Sequence, residues 1–396
     1  MKIALISAFL EDDIYGEKLT DEFMKKVICN EDSFHHRIAK SIETQNHQPV
    51  MFYMSTIKQK KSFTHKYGHE IIRVHAKQIP FIHESIIYSS ELINSIKDEF
   101  DICQIVSGYY VMYKIPDMFD YITFKLYKKM PIISRWAGGN YKWLFPIRKH
   151  IKKKSLERCD RIICSGKDEI EILKNRFGIN EKKILHMFNP IDITQFKPRD
   201  RKEIIGKIKF EMDKKYLLHV GRLIEDHGIE IILDVFKIIN QKNKNIILII
   251  IGDGPLLKKI QQFILANNLE DFVELKGRLD HKLISYYYNI GSALFHVGPS
   301  GGMPNVIMEA IVSGLPVIAS NSTAANKDLV NEKNGTGILV KLNDKIELEN
   351  AILKIINQKE KMDFINADLI KKFLLKIMEK KWTKYIMNYF LDSTKF

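Results

Sequence analysis

Short apolar runs alternate with amphipathic stretches along the whole chain, and that alternation predicts β-strands separated by helices. In the first half the runs Lys2–Ala8, Pro49–Met54, Ile71–Val74, Ile102–Val106, Pro131–Arg135, Arg161–Cys164 and Ile184–Phe188 predict strands. In the second half the corresponding runs are Tyr216–Val220, Ile246–Ile251, Phe272–Leu275, Ala293–Val297, Val317–Ala319 and Gly337–Val340. Between strands the apolar positions recur every third or fourth residue. Ile170, Leu173 and Phe177, for example, share one helical face just after the turn Ser165-Gly166. Such alternation builds α/β domains with parallel sheets, and this series predicts two doubly wound sheets of similar size. Asn189–Pro198 carries two prolines and runs on into a charged stretch ending at Lys215, so the interdomain linker is expected there. The last fifty residues have no turn signals and predict packing helices, with Trp382, Ile386 and Phe390 on one stripe. No repeat of roughly 20–50 residues recurs, which excludes solenoids and propellers.

Composition narrows the class. A chain of 396 residues predicts two or three domains, and 45% hydrophobic residues exclude a largely disordered one. The densest apolar run, Ile246–Ile251, is far short of the ~18 residues of a membrane span. The apolar start Met1–Ala8 meets acids at Glu11-Asp12-Asp13, so no secretory leader is read and a cytoplasmic location is expected. Cys29, Cys103, Cys159 and Cys164 form no CxxC pair and lie in apolar segments, as reduced core thiols do.

The formal charge is +14, and part of it is concentrated. Between Lys142 and Arg161 stand Lys142, Arg148, Lys149, Lys152, Lys153, Lys154, Arg158 and Arg161 against only Glu157 and Asp160. An anionic membrane surface is the expected partner, met through Lys149, Lys152, Lys153 and Lys154, so that a cytoplasmic protein would rest peripherally on the inner face. No nucleic-acid module stands beside the patch, and no nucleic-acid partner is expected.

Three glycine-rich segments follow predicted strands, where ligands bind in open parallel sheets. Gly221-Arg222 ends the first, aiming a guanidinium suited to phosphate at the sheet edge. Gly252-Asp253-Gly254-Pro255 departs from the dinucleotide fingerprint because Leu257 takes the third glycine position. No GxGxxG follows the first strand and no P-loop occurs anywhere, so dehydrogenase and P-loop classes are excluded. The third segment, Gly298-Pro299-Ser300-Gly301-Gly302-Met303-Pro304, opens a helix whose free amides and dipole make an anion site that a diphosphate would fit. Glu309, further along that helix, can reach a ribose or stand as a solvated carboxylate.

The order of Gly221-Arg222, Gly252–Pro255, Gly277-Arg278, the loop Ser300–Glu309 and Gly314–Ser320 resembles the retaining glycosyltransferases of family 4. Phe100-Asp101-Ile102, Pro131-Ile132-Ile133, Cys159–Ser165 and Asn189–Asp192 with Phe196 and Pro198 extend the likeness over nearly the whole chain. The resemblance implies an α/β chain with the GT-B fold, two Rossmann-like doubly wound domains with a cleft between them. An acceptor domain would span 1–192, completed by a helix at 380–396, and a nucleotide-sugar domain 193–379. It implies retaining transfer from a UDP- or GDP-sugar to a glycan or lipid-linked acceptor, in polysaccharide or glycolipid synthesis. By the same resemblance Arg222, His227 and Glu309 form the catalytic set, with Arg222 on the donor diphosphate and Glu309 on the ribose. Gly138, Gly139, Gly221, Arg278, Gly301, Gly302, Met303, Pro304, Asn305 and Val306 would complete the donor site. No cofactor is implied and no metal is expected; the chain has no DxD motif.

Three family residues are replaced: the first glutamate of the paired motif by Gly301, the usual lysine by His227, and the N-terminal histidine by Ala137. A divergent active enzyme using Gly138, Gly139 and Asn140 would account for this. So would a catalytically silent nucleotide-sugar-binding or scaffold protein, and a GT-B sugar-nucleotide epimerase would need donor alone. His65 and His69 have ligand spacing, but Gly68 and polar neighbours weaken a helix there, so zinc is not expected. His35, His36 and His47 read as surface or interdomain residues. Glu11-Asp12-Asp13 either lines the cleft or is a solvated loop, and Tyr109, Tyr110 and Tyr113 either stack on a sugar or lipid or pack in the core.

Overall fold

The computed structural model describes residues 1–79, 86–107, 117–136, 145–189, 191–299 and 304–357, and the chain divides between Pro190 and Ile191 into two compact units. The expected helix at 380–396 and the stripe Trp382, Ile386, Phe390 lie outside the described residues, as do Tyr109, Tyr110 and Tyr113.

The N-terminal domain contains β1 (Lys2–Leu10), β2 (Gln48–Ser55), β3 (Lys61–Thr64), β4 (Glu70–His75), β5 (Lys77–Ile79), β6 (Ile86–Tyr88), β7 (Ile102–Ser107), β8 (Ile132–Trp136), β9 (Arg161–Cys164) and β10 (Ile184–His186). Eight of them form one sheet in the order β10-β9-β8-β7-β1-β2-β4-β3, and β5 pairs with β6 separately. All neighbours in the large sheet are parallel except β3, which returns antiparallel to β4. Successive side chains of β1 point to opposite faces, so both faces need cover. Ile3 and Leu5 join Ile38 and Ile42 of the helix Phe34–Glu43 in one core, while Ala4 and Ile6 join Ile93, Phe119 and Ile122 in the other. The three short strands β3, β5 and β6 escape the apolar pattern, because a strand such as Lys61–Thr64 buries Phe63 alone. All four cysteines are free and buried.

The basic patch is corrected at one residue. Lys152 is 2% exposed, and its ammonium is paired with Asp117 and, at 2.8 Å, with Asp120 Oδ2. Those two acids form the capping box of the helix Met118–Leu126, and Ser155 also donates to Asp120 at 2.6 Å. Lys152 therefore faces inward because two half-neutralised caps must be compensated out of water. Lys154 is exposed, Lys149 is half-buried, and half-buried Lys153 lies 3.7 Å from Glu157.

The C-terminal domain holds β11 (Lys215–Val220), β12 (Ile246–Ile251), β13 (Val273–Gly277), β14 (Gly291–His296), β15 (Val317–Ser320) and β16 (Gly337–Val340), all parallel in the order β13-β12-β11-β14-β15-β16. Every residue of β12 is buried, as an apolar run covered on both faces requires. Ile232 and Phe236 of the helix Ile229–Lys242 pack with Leu217, Leu248 and Ile250. From Ile191 onward, the segment expected as linker is instead part of this domain. Phe196 is fully buried with ring contacts to His281 and Tyr288, and Arg199 N–H donates to Asn289 at 2.5 Å, since an aromatic ring gains more from burial than from spanning solvent. No helix among the described residues is long and apolar enough to cross a membrane.

Candidate active site

Because the six C-terminal strands run parallel, their carboxyl ends share one edge. Gly221-Arg222, Gly252–Pro255, Gly277-Arg278, Val297–Pro299 and Ser320–Ser322 all leave from it. Strand order reverses between β11 and β14, which puts the crevice of an open sheet between Gly221 and Gly298. The loops are tied in series: Gly221 N–H donates to Ile251 O at 3.0 Å, Leu223 N–H to Asp253 O at 2.9 Å, and Gly252 N–H to Gly277 O at 2.8 Å.

Two glycines allow the turn carrying His227 to lie against the start of the glycine-rich loop. Gly228 has φ +71°, and a Cβ there would sit 2.9 Å from Gly298 N. A Cβ on Gly298 would sit 2.0 Å from Asp226 O, a contact only backbone movement could relieve. Ser320 and Ser322 then hold the Gly298 carbonyl at 2.9 and 3.3 Å. Gly298→Ala is expected to cost the domain about 1–3 kcal/mol, read as a lowered urea midpoint, whereas an unchanged midpoint would mean the turn is not clamped.

Arg222 and Arg278 are both exposed, on the loops after β11 and β13. His227 is half-buried, and its pKa lies below the ordinary value because burial and the Arg222 charge outweigh a hydrogen bond to the Arg222 backbone and the Asp226 carboxylate. Beside it stand two histidines whose role the sequence did not disclose. His219 on β11 is 2% exposed, neither of its ring nitrogens has a partner among the described residues, and burial lowers its pKa to about 3. Burial likewise lowers His296, at the end of β14, to about 4. Both were hidden because β11 and β14 are neighbours only through the crossover order.

Pro304 is the N-cap of the helix Asn305–Val312 in extended conformation, so the helix begins one residue later than the proline suggests. No acid occupies its first turn, leaving the positive end of the dipole uncancelled beside Asn305 and Val306. Glu309 is not solvated. It is 2% exposed, accepts from Tyr288 Oη at 3.3 Å and lies 4.0 Å from His281 Nε2, since its helix presents that position to the helix His281–Ile290. Gly138, Gly139, Gly301, Gly302 and Met303, with Ala137 and Asn140, lie outside the described residues.

In the N-terminal sheet the order reverses between β1 and β7, and Glu11 directly follows β1. Neither Glu11 nor Asp12 is a solvated loop residue: they are 4% and 9% exposed. Asp12 accepts from Ser55 Oγ, Thr56 N–H and Thr56 Oγ1 at 2.6–2.8 Å, fastening the end of β2. Burial pushes the Glu11 carboxyl up to about 8, against a hydrogen bond from Ser7, with Glu31 and Asp12 adding to the rise.

Residues 200–368 match the family of glycosyl transferases group 1. An uncharacterized glycosyltransferase of Methanocaldococcus jannaschii is 30% identical over 51% of this chain and 51% of its own length. The alpha-monoglucosyldiacylglycerol synthase of Streptococcus pneumoniae is 22% identical over 62% and 55%. The GPI3 subunit of phosphatidylinositol N-acetylglucosaminyltransferase of Saccharomyces cerevisiae is 23% identical over 52% and 45%. The chain thus spans about half the length of the curated relatives it matches. HepE of Anabaena, solved with UDP, superposes with a TM-score of 0.72 at 14% identity over 98% of this chain and all of that one. Sucrose-phosphate synthase of Thermosynechococcus elongatus gives 0.73 at 16% over 99% and all of that chain. Two Rossmann-like domains of this kind are the GT-B fold. The match to glycosyl transferases group 1 lies within the C-terminal domain.

Proposed function

We propose that the chain is a retaining glycosyltransferase that moves a sugar from a UDP- or GDP-sugar to a glycan or lipid-linked acceptor, in polysaccharide or glycolipid synthesis on the cytoplasmic side. The reading is carried by the β11–β14 switch point, where an arginine, a histidine turn and an acid-free helix N-terminus leave one sheet edge. Arg222 and the helix amides would hold the donor diphosphate, and their fixed charge would stabilise the departing nucleotide. Glu309 would accept from the ribose, and the N-terminal domain would hold the acceptor. A UDP complex of HepE, and relatives named for transfer to diacylglycerol and phosphatidylinositol, support donor and acceptor classes respectively.

Titration with UDP, GDP and ADP, followed by thermal shift, tests it. One nucleoside diphosphate should stabilise the wild type, and Arg222→Ala should weaken it about 10–100-fold, the range of one or two charge-assisted contacts. Affinity should rise from pH 8 to pH 6, because the empty site holds His227 below its ordinary pKa and a bound diphosphate favours the imidazolium. No stabilisation by any nucleotide would reject the donor site, and binding without sugar transfer to any acceptor would favour the silent reading.

The membrane face we place at the end of the helix Met118–Leu126, where Phe124 and Tyr127 are 61% and 45% exposed. Lys125, Lys128, Lys129 and Arg158 surround them, Arg158 lying 5.4 Å from the Phe124 ring, with exposed Lys154 one turn before it. Anionic vesicles should bind this face with a contribution of ~1 kcal/mol, about fivefold, per basic residue. Phe124→Ser and Lys154→Ala should each lower cosedimentation at low salt; equal binding in both would remove the face from the proposal.

A further inference from the structure

A second cluster of histidines lies in the N-terminal domain, apart from the residues assigned above. His36 comes from the helix Phe34–Glu43, while His65 and His69 stand at the two ends of the turn joining β3 to β4. That turn is closed by His65 N–H to His69 O at 3.0 Å and Gly68 N–H to His65 O at 2.8 Å, so hairpin geometry, not helical spacing, brings the pair together. All three are 3% exposed or less, and His36 bonds within its own domain, which corrects the expectation of His36 as a surface or interdomain residue. One ring nitrogen of each lies within 4.8 Å of those of the other two.

Hydrogen bonding accounts for the cluster incompletely. His65 Nδ1 accepts the Tyr67 N–H at 3.1 Å, so its hydrogen is on Nε2, donated to the Glu31 carbonyl at 2.9 Å. His36 Nδ1 and His69 Nε2 are 2.9 Å apart and share one hydrogen, and His36 Nε2 meets the Tyr53 hydroxyl at 3.0 Å. Whichever ring holds the shared hydrogen, His69 Nδ1 remains buried without a partner among the described residues. The cost of that unpaired atom, ~1–3 kcal/mol, is the same with or without an ion, because an ion between the rings would take His69 Nε2.

We propose that His36, His65 and His69 bind one divalent transition-metal ion of the zinc class. Neutral imidazoles are the form a metal needs, and burial keeps these three neutral. Ligands at ~2.0–2.1 Å from zinc stand about 3.3 Å apart, so the His36–His69 pair need open by only a few tenths of an ångström. His65 is stacked on His36 at 3.9 Å between ring centroids and on His69 at 4.5 Å, so its ring must turn out of that stack to bring Nδ1 onto the ion, giving up the Tyr67 N–H and the Glu31 carbonyl. A partner that fixes ring orientation from behind is in place for His36, the Tyr53 hydroxyl. An all-imidazole set suits zinc, copper or nickel rather than calcium or magnesium. An open pocket of about 540 Å³, lined by Lys25, Cys29, Lys61, Lys66 and His65 among others, reaches the cluster and offers the route for the ion and for water in the fourth position. The ion would fasten the helix Phe34–Glu43 to the β3–β4 hairpin.

The test uses untagged full-length protein stripped with chelator and titrated with Zn²⁺ against a competing chromophoric chelator. One equivalent should bind. His65→Gln and His69→Gln should each weaken binding at least ~100-fold, and Tyr53→Phe about tenfold. Circular dichroism checks that the variants fold. Should a variant not fold, Co²⁺ added to the wild type decides, because an imidazole-bound ion of low coordination number gives intense visible d–d absorption. Absence of stoichiometric zinc and of that absorption, or equal binding in folded variants, would overturn the site. Nothing in this test depends on the nucleotide site.

Discussion

Lys152→Met is expected to destabilise the N-terminal domain by about 3–5 kcal/mol, the range for breaking a buried pair from one side. The ammonium lies between Asp117 and Asp120, which cap the same helix and are 16% and 5% exposed. Burial drives the Asp117 carboxyl up to about 6, against the Lys152 charge. At Asp120 burial pushes the same way, but Lys152 and the hydrogen bonds from Lys152, Ser155 and the Asp117 backbone win, so its pKa falls below the usual range. Without Lys152 two adjacent carboxylates would remain out of water, each raising the cost of ionising the other. The measurement is a urea midpoint at pH 7 followed by tryptophan fluorescence, with Trp136 buried in this domain. Lys154→Met, at an exposed position, should move the midpoint by no more than about 0.5 kcal/mol. Adding Asp120→Asn to Lys152→Met should recover part of the loss. Equal midpoints for the Lys152 and Lys154 variants would show that the pair contributes nothing.

The second large effect is alkaline. With the Glu11 carboxyl raised to about 8 from 4.5, the folded state binds its proton more tightly than the unfolded chain. The resulting stability is fully present below pH 4.5 and is lost as pH climbs through 8, because the unfolded chain releases the proton first. By pH 9 the loss amounts to about 3–5 kcal/mol, since each pH unit between the two titrations removes roughly 1.4 kcal/mol. Glu11→Gln keeps the shape and an acceptor for Ser7 but has nothing to titrate. Its advantage over wild type should therefore grow from pH 5 to pH 9 by that amount in urea midpoints. Parallel pH profiles for the two proteins would place the Glu11 titration at ordinary values. Below its pKa a protonated Glu11 at the β1–β7 switch point offers one O–H donor while keeping an oxygen to accept from Ser7.

Most strands were legible because both faces of a parallel sheet are covered, so runs such as Ile246–Ile251 and Ile162–Cys164 are apolar without interruption. Lys61–Thr64 was not, having a single buried side chain on an edge. Gly221-Arg222 could be placed from the sequence because turn residues follow a strand directly. The partners His219 and His296 could not, since their proximity follows from β11 and β14 being neighbours across a crossover. Lys152 was misplaced by counting charge along a helix without its facing helix. His36 and His69, 33 residues apart, meet only once the β3–β4 hairpin has folded against the helix Phe34–Glu43.

That hairpin also governs how the protein behaves at high concentration. β4, a six-residue strand with three aliphatic side chains at Ile71, Ile72 and Val74, would present an edge of unpaired backbone groups if it closed the sheet. β3 covers it with a four-residue strand carrying Lys61 and two exposed polar side chains, an edge too short and too charged to template another chain. Losing that strand would turn a protein that folds into one that self-associates through its sheet, with little change in the interior that defines the fold.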